Sequence, residues 1–278
     1  MAVWKIADRT LSGDRALVMA ILNVTPDSFS DGGRFLDPEA AVSQACYLQA
    51  LGADIVDIGA QSTRPGSTPI SAVEEWDRLS PVLQALQGRL HIPLSVDTFY
   101  PEVARRALAA GVQILNDVSG SLDNGFPALA AATGAGLVMT HHGVGGELAQ
   151  DVFTYFSQAL LAADAVGLDR RQICLDVGLG FGKSREVDLE LIARLSELHA
   201  AFPENLLLVG GSRKRVVAQF TGDPPVDRRL GGSVALHTLA QLGGAGVLRV
   251  HDVEETVQAV RFTDAFMKAK GEYHGTLD

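Results

Sequence analysis

The sequence alternates short apolar runs with longer stretches of helical periodicity, and this alternation constrains the fold more than any other feature. Runs rich in Val, Ile and Leu predict eight strands, at residues 16–22, 54–58, 92–96, 112–115, 137–140, 173–175, 206–209 and 247–250. The stretches between them predict helices at residues 38–51, 73–86, 101–110, 127–132, 152–166, 188–200, 232–242 and 253–268. Because the strands lack polar alternation, the pattern indicates repeated βα units around a parallel sheet that is buried on both faces.

The length of the chain and the number of repeats favour closure of that sheet into a barrel. The chain has 278 residues, of which 47% are hydrophobic and 20% are charged. A barrel of eight strands and eight helices typically takes about 250 residues. No low-complexity linker or break in composition divides the chain. We therefore predict an α/β fold, a (β/α)8 TIM barrel, with residues 1–278 forming a single domain.

Charge and cysteine usage exclude several classes of function. The formal net charge is −10, so phosphate backbones repel the chain and we expect no nucleic-acid partner. Cys46 and Cys174 are far apart and lie among apolar residues, which indicates buried free thiols rather than a disulfide framework or a zinc site. The sequence shows neither the apolar core of a secretion signal nor a stretch long enough to cross a bilayer. We expect a cytoplasmic protein with no membrane partner.

A polar residue lies at or near the end of every predicted strand. These residues are Asn23, Asp57, Asp97, Asn116 with Asp117, His141, Asp176, Ser212, and Arg249 with His251. An open doubly wound sheet would also collect ligands at its strand ends, but the positions are on average about 32 residues apart, which suits one βα unit of a closed barrel. Because a buried Asp or Asn without partners costs stability, the set predicts an active site at the carboxyl rim of the barrel.

The loop at residues 176–184, DVGLGFGKS, has the composition of a phosphate loop but not its spacing. The Walker A motif needs a glycine where this chain has Val177, and the dinucleotide fingerprint needs its third glycine where this chain has Lys183. We therefore interpret the glycines as positions where the loop backbone approaches a flat ligand closely.

Three basic residues near the strand ends admit more than one interpretation. His141 and His142 could bind a metal, but no further ligand follows at a suitable spacing, so we expect one polar loop contact and one solvated ring. Lys214 could form a Schiff base, as in barrel aldolases. Its neighbours Arg213 and Arg215 favour instead a helix start that faces an anion.

Seven motifs, in order along nearly the whole chain, closely resemble the dihydropteroate synthase family. They are NVTPDSFSDGG at 23–33, STRPG at 62–66, SVDT at 95–98, NDVSG at 116–120, GFGKS at 180–184, GSRK at 211–214 and RVHDV at 249–253. The resemblance implies a (β/α)8 barrel, usually a homodimer, that uses Mg2+ and is the sulfonamide target of the folate pathway. The implied reaction joins 6-hydroxymethyl-7,8-dihydropterin diphosphate to 4-aminobenzoate, giving 7,8-dihydropteroate and diphosphate.

The resemblance also implies how the pterin ring is recognised. Asp176 would accept hydrogen bonds from the 2-amino group and the ring N3–H. Asn116 and Asp97 would contact the other ring nitrogens, and Lys214 would meet the carbonyl and N5. A site lined by such buried polar groups rejects rings that leave them unpaired. The substrate-binding set would also include Phe181, Gly210 and Val250.

For the diphosphate, the resemblance implies Arg249 and His251 on the last strand, joined by Arg64 and Asn23 from loops. Asn23 would also contact the Mg2+. The metal and the cations would assist the departure of diphosphate, and the aniline nitrogen would then attack a stabilised pterin cation. The residues implied to be catalytic are Asp97, Lys214, Arg249 and His251.

The 4-aminobenzoate pocket is implied to involve two loops, at residues 25–35 and 61–69. Their Gly, Ser, Pro and Asp content is typical of loops, and Phe29, Thr63 and Pro65 match the family's contributors. The chain departs from the family's common residues at Gln61 (commonly Glu), Val177 (commonly Pro), Arg215 (commonly a small hydroxyl residue) and THHGV at 140–144 (commonly MHMQG).

Three other interpretations compete with a synthase. A pterin-binding paralogue without synthase activity would have no need of Asn23, Thr63–Arg64 and Arg249–His251 together. A methyltransferase of the related pterin-binding type would need no diphosphate site, so the motifs at 23–33 and 62–66 count against it. A structural barrel with polar caps would not explain a polar residue at every strand end.

Overall fold

A short antiparallel hairpin, which the pattern of apolar runs did not predict, precedes the barrel. The computed structural model describes residues 2–25, 37–61, 68–143 and 150–271. In the hairpin, β1 (Val3–Ile6) pairs with β2 (Arg9–Ser12). Trp4 and Ile6 are fully buried and belong to the same apolar cluster as Leu17 and Met19 of the first barrel strand. The hairpin therefore closes the amino-terminal mouth of the barrel.

The eight predicted strands form one closed parallel barrel. They are β3 (Leu17–Asn23), β4 (Ile55–Gly59), β5 (Leu94–Thr98), β6 (Ile114–Asp117), β7 (Gly136–Thr140), β8 (Ile173–Asp176), β9 (Leu206–Val209) and β10 (Ala245–Val250). Each strand pairs with the next, and β10 pairs with β3 to close the barrel. The predicted TIM-barrel fold is confirmed.

Helices surround the barrel and cover its outer face. They are α1 (Pro38–Ala50), α2 (Ala72–Leu86), α3 (Pro101–Ala109), α4 (Phe126–Thr133), α5 (Gln150–Ala165), α6 (Arg185–Ala193), α7 (Leu195–Ala201), α8 (Arg215–Phe220), α9 (Leu230–Leu242) and α10 (Val253–Lys270). Several begin at a side-chain cap; the hydroxyl of Ser71, for example, accepts a hydrogen bond from the backbone N–H of Glu74 at the start of α2. Within the described ranges, no helix is long and apolar enough to cross a membrane.

The period of two along each strand explains how a polar site forms above an apolar core. Alternate strand residues face the lumen, and the lower lumen is filled by apolar residues such as Ile55 and Ile114. Two residues further along the same strands come Asp57 and Asn116, both buried. The same step leads to Asp176 on β8 and Arg249 on β10, so a polar layer of inward-facing side chains lies above the apolar one.

Predicted boundaries differ from the observed ones in three instructive places. β5 begins at Leu94 rather than at residue 92 and extends to Thr98, which brings Asp97 into the strand. β7 begins one residue earlier than predicted, at Gly136, and ends at Thr140 as predicted, so His141 is the first residue of the following loop. The helix predicted at 188–200 is two helices, because the backbone leaves the helical conformation at Arg194 (φ −102°, ψ 12°). The six-residue α8 lies outside the eight predicted helices.

Candidate functional site

The centre of the strand-end site is an arginine held between two buried carboxylates. Arg249 Nε donates to Asp57 Oδ2 over 2.6 Å, and Arg249 Nη2 donates to Asp97 Oδ2 over 2.5 Å. Burial opposes the positive charge, but the two aspartates more than offset this effect and raise the pKa of Arg249. The guanidinium is therefore a fixed cation whose plane is set by contacts with two different strands.

Asp97 lies in a setting that favours its neutral form more than is usual for a carboxyl group. Burial raises the pKa of Asp97 to about 7, the Arg249 charge acts in the opposite direction, and Asp57 adds to the rise. The positive charge of Arg249 therefore offsets part of the cost of holding Asp97 ionised in the buried site. The structure brings Asp97 and Arg249 together, as the sequence analysis expected for site residues.

Asn116 and Asp57 form a second contact in the lumen. Asn116 Nδ2 donates to Asp57 Oδ2 over 3.0 Å, and both residues are almost completely buried. Asn116 Oδ1 and Asp57 Oδ1 are also buried, and neither has a hydrogen-bond partner among the described residues. Unpaired buried acceptors are costly, so Asn116 Oδ1 is suited to receive an N–H group from a ligand.

Asp176 is the polar residue at the end of β8. Asp176 Oδ1 accepts from the backbone N–H of Gly178 over 2.8 Å, and Oδ2 accepts from Thr140 Oγ1 over 3.4 Å. Burial raises the pKa of Asp176, while Lys214 and the Gly178 N–H act in the opposite direction. The N–H of Gly178 and the hydroxyl of Thr140 orient the carboxylate, and the positive charge of Lys214 favours its ionised form.

Lys214 caps the start of α8 and reaches back toward the glycine loop. Its Nζ donates to the carbonyl oxygen of Leu179 over 2.5 Å and lies 4.8 Å from the centre of the Phe181 ring. Burial lowers the pKa of Lys214 to about 8, although Asp176 acts to raise it. The structure thus brings Lys214, Phe181 and Asp176 to one side of the rim.

The histidine pair is not arranged as the sequence analysis expected. His141 is buried and packs edge-on against Tyr155, with the ring centres 5.1 Å apart, while His142 stacks on Phe181 at 4.8 Å with 27° between the planes. The expectation of one solvated ring is wrong, because His142 is half-buried against the ring of Phe181. Among the described residues, no group of three or more His, Cys, Asp or Glu side chains is placed to hold a metal ion.

His251 lies just beyond the last strand and contacts the preceding strand's loop. Its backbone N–H donates to Ser212 Oγ over 3.2 Å, and its Nδ1 lies 3.1 Å from the same oxygen. The neighbouring Arg213 forms a two-point ion pair with Asp252. The charge of Arg213 is therefore compensated by Asp252 within the protein.

Gly210 and Val250 occupy different faces of the sheet. Gly210 is buried, and a side chain added there would lie 3.7 Å from Arg249 Cβ. The Val250 side chain belongs to the core between the strands and the helices, because it is one residue out of phase with Arg249. Only the backbone of Val250 is placed to meet a ligand in the lumen, which narrows its expected substrate-binding role.

Asn23 ends β3 and is half-buried beside Gly59, its register partner on β4. The sequence analysis named it as a metal contact, and the structure places it on the same rim as Asp97 and Arg249. Four further expected site residues, Phe29, Thr63, Arg64 and Pro65, lie outside the described residues.

Two of the departures from the family's common residues have a structural explanation. Gln61 is buried, and its Oε1 accepts from the backbone N–H of Ile70 over 2.8 Å, so its amide fixes the chain leading into α2. Val177 is fully buried in the outer core. Arg215 is exposed at the first residue of α8, and nothing in the structure explains the substitution.

Sequence reasoning gave no role to three buried or half-buried residues that support the site. Asp57 was recognised only as a strand end. Lys183 Nζ donates to the carbonyl oxygens of His141 and Gly178, at 2.9 and 2.7 Å, and joins two rim loops. Glu75 of α2 is fully buried and accepts from Thr98 Oγ1 over 3.0 Å, directly behind Asp97. Two signals were available in the sequence. Asp57 is a carboxyl group at an inward-facing strand position, and Glu75 is a charged residue on the apolar face of a helix.

Comparison with known proteins gives consistent results along the chain. A model of the family described as "Pterin binding enzyme" matches residues 19–251. The chain is 40% identical to the dihydropteroate synthase of Escherichia coli strain K12, over 91% of this chain and 92% of that protein. It is also 40% identical to the dihydropteroate synthase of Synechocystis sp., over 92% of each chain.

Solved structures show the same similarity. The Xanthomonas albilineans dihydropteroate synthase with 4-aminobenzoic acid is 40% identical and superposes with a TM-score of 0.89, covering 95% of this chain and 98% of that one. The same enzyme in complex with 7,8-dihydropteroate gives a TM-score of 0.87 at 38% identity, with the same coverage.

Proposed function

The chain belongs to the dihydropteroate synthase family, and we propose how its strand-end site performs the reaction of a transferase in folate biosynthesis. That reaction joins 6-hydroxymethyl-7,8-dihydropterin diphosphate to 4-aminobenzoate and releases diphosphate. The observation that carries the proposal is the layer of polar side chains that ends the lumen: Asp97, Asn116, Asp176, Lys214 and Arg249. It offers acceptors and cations together in one buried site.

The acceptors suit the donor-rich edge of a pterin. Asp176 is held by Gly178 and Thr140 and would accept from the 2-amino group and N3–H. Asn116 Oδ1, buried and unpaired, would accept a further N–H. Lys214, with its pKa lowered to about 8 by burial, would donate to the carbonyl and N5. Phe181, which lies against Lys214, would form an apolar wall beside the ring.

The cations suit the diphosphate. Arg249 uses two of its five N–H groups on Asp57 and Asp97, which leaves three for other acceptors. His251 lies just beyond the end of the same strand, and Arg64 would add a further charge from a loop. Their positive charge would stabilise the negative charge that develops on the leaving diphosphate.

The residues present fit a magnesium ion that arrives with the substrate. Mg2+ prefers oxygen ligands, keeps several waters and is commonly bound through one or two protein oxygens together with substrate phosphates. Asn23 offers one amide oxygen at the rim, and the described residues include no cluster of metal-binding side chains, so a site shared with the diphosphate suits this donor set. Bound there, Mg2+ would supply further charge compensation for the leaving group.

Bond breaking then follows from these positions. The bond between the pterin methylene carbon and the diphosphate oxygen breaks, and its electron pair leaves on the diphosphate. The pterin cation is stabilised by the carboxylates around it, Asp97 and Asp176 among them. The amino nitrogen of 4-aminobenzoate attacks the methylene carbon and loses a proton, so no protein nucleophile is consumed.

Substitutions at three residues test these roles. Asp176→Asn should weaken pterin binding by about tenfold or more, since it removes one acceptor charge from the buried edge contact. Arg249→Ala and His251→Ala should mainly weaken the binding of inorganic diphosphate. Calorimetric titration of each variant with each ligand measures the difference, and three variants with unchanged kinetics and affinities would refute the site.

We also propose that the chain forms a homodimer through α9 and α10. These two helices pack on each other and expose Leu239, Leu242, Phe262 and Phe266 to solvent. Large exposed apolar residues on neighbouring helices are typical of an interface. Sedimentation of wild-type protein and of the Phe262→Glu variant tests this proposal, since the variant should be monomeric while retaining its fold.

We also propose that the protein is located in the cytoplasm. The two cysteines, Cys46 and Cys174, are both free thiols, and Cys174 is buried. Free thiols suit a reducing compartment. Fractionation of the source cells, with detection of the protein by antibody, tests the location.

A further inference from the structure

Asp57 is the one fully buried carboxylate in the described part of the rim that has no role in the proposed reaction. It lies two residues beyond Ile55 on the inward face of β4 and has no exposed surface. It touches two residues that do have roles, Asn116 on β6 and Arg249 on β10. Its position links three strands of the barrel at the level of the site.

One oxygen of Asp57 receives both contacts. Asp57 Oδ2 accepts from Asn116 Nδ2 over 3.0 Å and from Arg249 Nε over 2.6 Å. An ionised carboxylate only accepts hydrogen bonds, so the atom of Asn116 that faces Asp57 must be its amide nitrogen. The carbonyl oxygen Oδ1 is thereby turned away from Asp57, and it is buried without a partner among the described residues.

We propose that Asp57 is a positioning residue that sets the specificity of the site, because it holds Asn116 with its carbonyl oxygen toward the ligand and holds the guanidinium of Arg249 in plane. The inference rests on the proposed function, in which the ligand is a pterin. A ligand with an N–H at this position satisfies Asn116 Oδ1, whereas a ring that places an acceptor there leaves two acceptors facing each other. Without Asp57, the amide of Asn116 would rotate freely between its two orientations and lose this discrimination.

The negative charge of Asp57 has the opposite effect on the binding of an anion such as diphosphate. Asp57 and Asp97 together compensate the charge of Arg249, so removal of Asp57 leaves more uncompensated positive charge at the rim. Loss of Asp57 should therefore weaken binding of the uncharged pterin while leaving diphosphate binding unchanged or tighter. Damage to the rim as a whole would weaken both ligands.

Two variants of Asp57 separate the effect of its hydrogen-bond geometry from the effect of its negative charge. Asp57→Ala removes the shared acceptor. Asp57→Asn keeps an acceptor, since its amide oxygen can take the place of Oδ2 and its amide nitrogen the place of the unpaired Oδ1. We expect the dissociation constant for 6-hydroxymethylpterin to rise at least about tenfold in Asp57→Ala and to change by less than about threefold in Asp57→Asn. The dissociation constant for inorganic diphosphate with Mg2+ should not rise in either variant.

Matched controls come from the other end of the same strand. Asp54 precedes β4, and its carboxylate accepts two hydrogen bonds from Arg15, at 2.8 and 2.5 Å, far from the rim. Asp54→Ala and Asp54→Asn make the same chemical changes in an ion pair of similar geometry. They should leave both dissociation constants at the wild-type values.

A double-mutant cycle tests whether Asp57 acts through Asn116. Calorimetry on wild type, Asp57→Ala, Asn116→Ala and the double variant should show that Asp57→Ala adds little further loss of pterin affinity once Asn116 is absent. Additive losses would overturn the inference, as would parallel losses of pterin and diphosphate, or an Asp57→Asn variant as weak as Asp57→Ala. If Asp57→Ala does not fold, Asp57→Leu, which removes the acceptor but fills the same space, replaces it in the same cycle. Failure of the wild-type protein to bind pterin would instead refute the proposed function.

Discussion

Lys183 Nζ lies 2.9 Å from the carbonyl oxygen of His141 and so ties the loop after β8 to the loop after β7. The same ammonium also donates to the carbonyl oxygen of Gly178 over 2.7 Å. Burial lowers its pKa to about 8, but it remains largely protonated at pH 7. In the sequence this lysine lies in a loop with the composition of a phosphate site, whereas in the structure its ammonium donates hydrogen bonds to backbone carbonyl oxygens of the protein.

Replacement of Lys183 by Met should loosen both loops and move Phe181 and His142, which stack between them. The unfolding free energy should fall by about 1–3 kcal/mol, because backbone acceptors lose a charged donor. Pterin affinity should fall as well. Urea unfolding and calorimetry measure the two effects.

The control for Lys183→Met is Arg185→Met, two residues further along. Arg185 is exposed and bonds Gln219 on the surface, so its loss should change neither quantity by more than about 0.5 kcal/mol. If the two variants had the same unfolding free energy and the same pterin affinity, the contacts of Lys183 with the backbone would contribute to neither quantity.

Glu75 should make the protein less stable as the pH rises. Burial raises its pKa to about 7 from an ordinary value of 4.5, so the folded state binds more protons than the unfolded state between these values. Stability from this group is present below pH 4.5 and is lost as the pH rises toward 7. Glu75→Gln, which keeps an acceptor for Thr98, should therefore be more stable than wild type at pH 8 by about 1–3 kcal/mol.

Paired urea titrations at pH 4.5, 6 and 8 measure this difference. The stability gap between Glu75→Gln and wild type should widen with pH and stop widening above pH 7. A gap that does not change with pH would mean that Glu75 ionises normally in the folded protein.

His237 should have the opposite dependence on pH. It is buried in α9, and its Nε2 accepts from the backbone N–H of Gly211 over 3.3 Å, which requires a neutral ring. Burial lowers its pKa to about 4, so the unfolded state binds more protons between pH 4 and 6.5, and stability falls as the pH falls through that window. In His237→Gln, whose amide oxygen can accept the same bond, the loss between pH 6.5 and 4 should be smaller by about 2 kcal/mol.

Thermal unfolding of wild type and His237→Gln across this window provides the test. His199 is the matched control, because it is exposed on α7, and His199→Gln should follow the wild-type curve. Identical slopes for His237→Gln and wild type would contradict a buried neutral ring.

His142→Met should retain pterin binding. His142 stacks on Phe181, and burial lowers its pKa, so at pH 7 it acts as a flat, uncharged packing group. A methionine also packs well against an aromatic ring, and we expect the pterin dissociation constant to change by less than about threefold. A loss of tenfold or more would indicate that an imidazole nitrogen contacts the ligand directly.

Much of the fold could be predicted because apolar strands alternate with helical stretches, and much of the site could be predicted because polar residues end those strands. Asp97, Asn116, Asp176 and Arg249 were identified since each ends an apolar strand, and the barrel brings such positions to one rim. Side chains alternate between the two faces of a strand, so the sequence also predicts that Val250, adjacent to Arg249, points away from the lumen.

What could not be predicted depends on contacts between distant parts of the chain. Asp57 meets Arg249 across 192 positions of sequence, and nothing local distinguishes it from a capping carboxylate. The hairpin of Trp4 and Ile6 was missed because β2 is largely exposed and neither of its strands is a continuous apolar run. Lys183 has its role through backbone carbonyls, which carry no sequence signal.

The most direct measurement of the central claim is the release of diphosphate from purified protein given 6-hydroxymethyl-7,8-dihydropterin diphosphate and Mg2+, with and without 4-aminobenzoate. We predict release that depends on 4-aminobenzoate, with 7,8-dihydropteroate formed in equal amount. Tight pterin binding with no product under the same conditions would contradict a synthase and identify the chain as a pterin-binding protein without this activity.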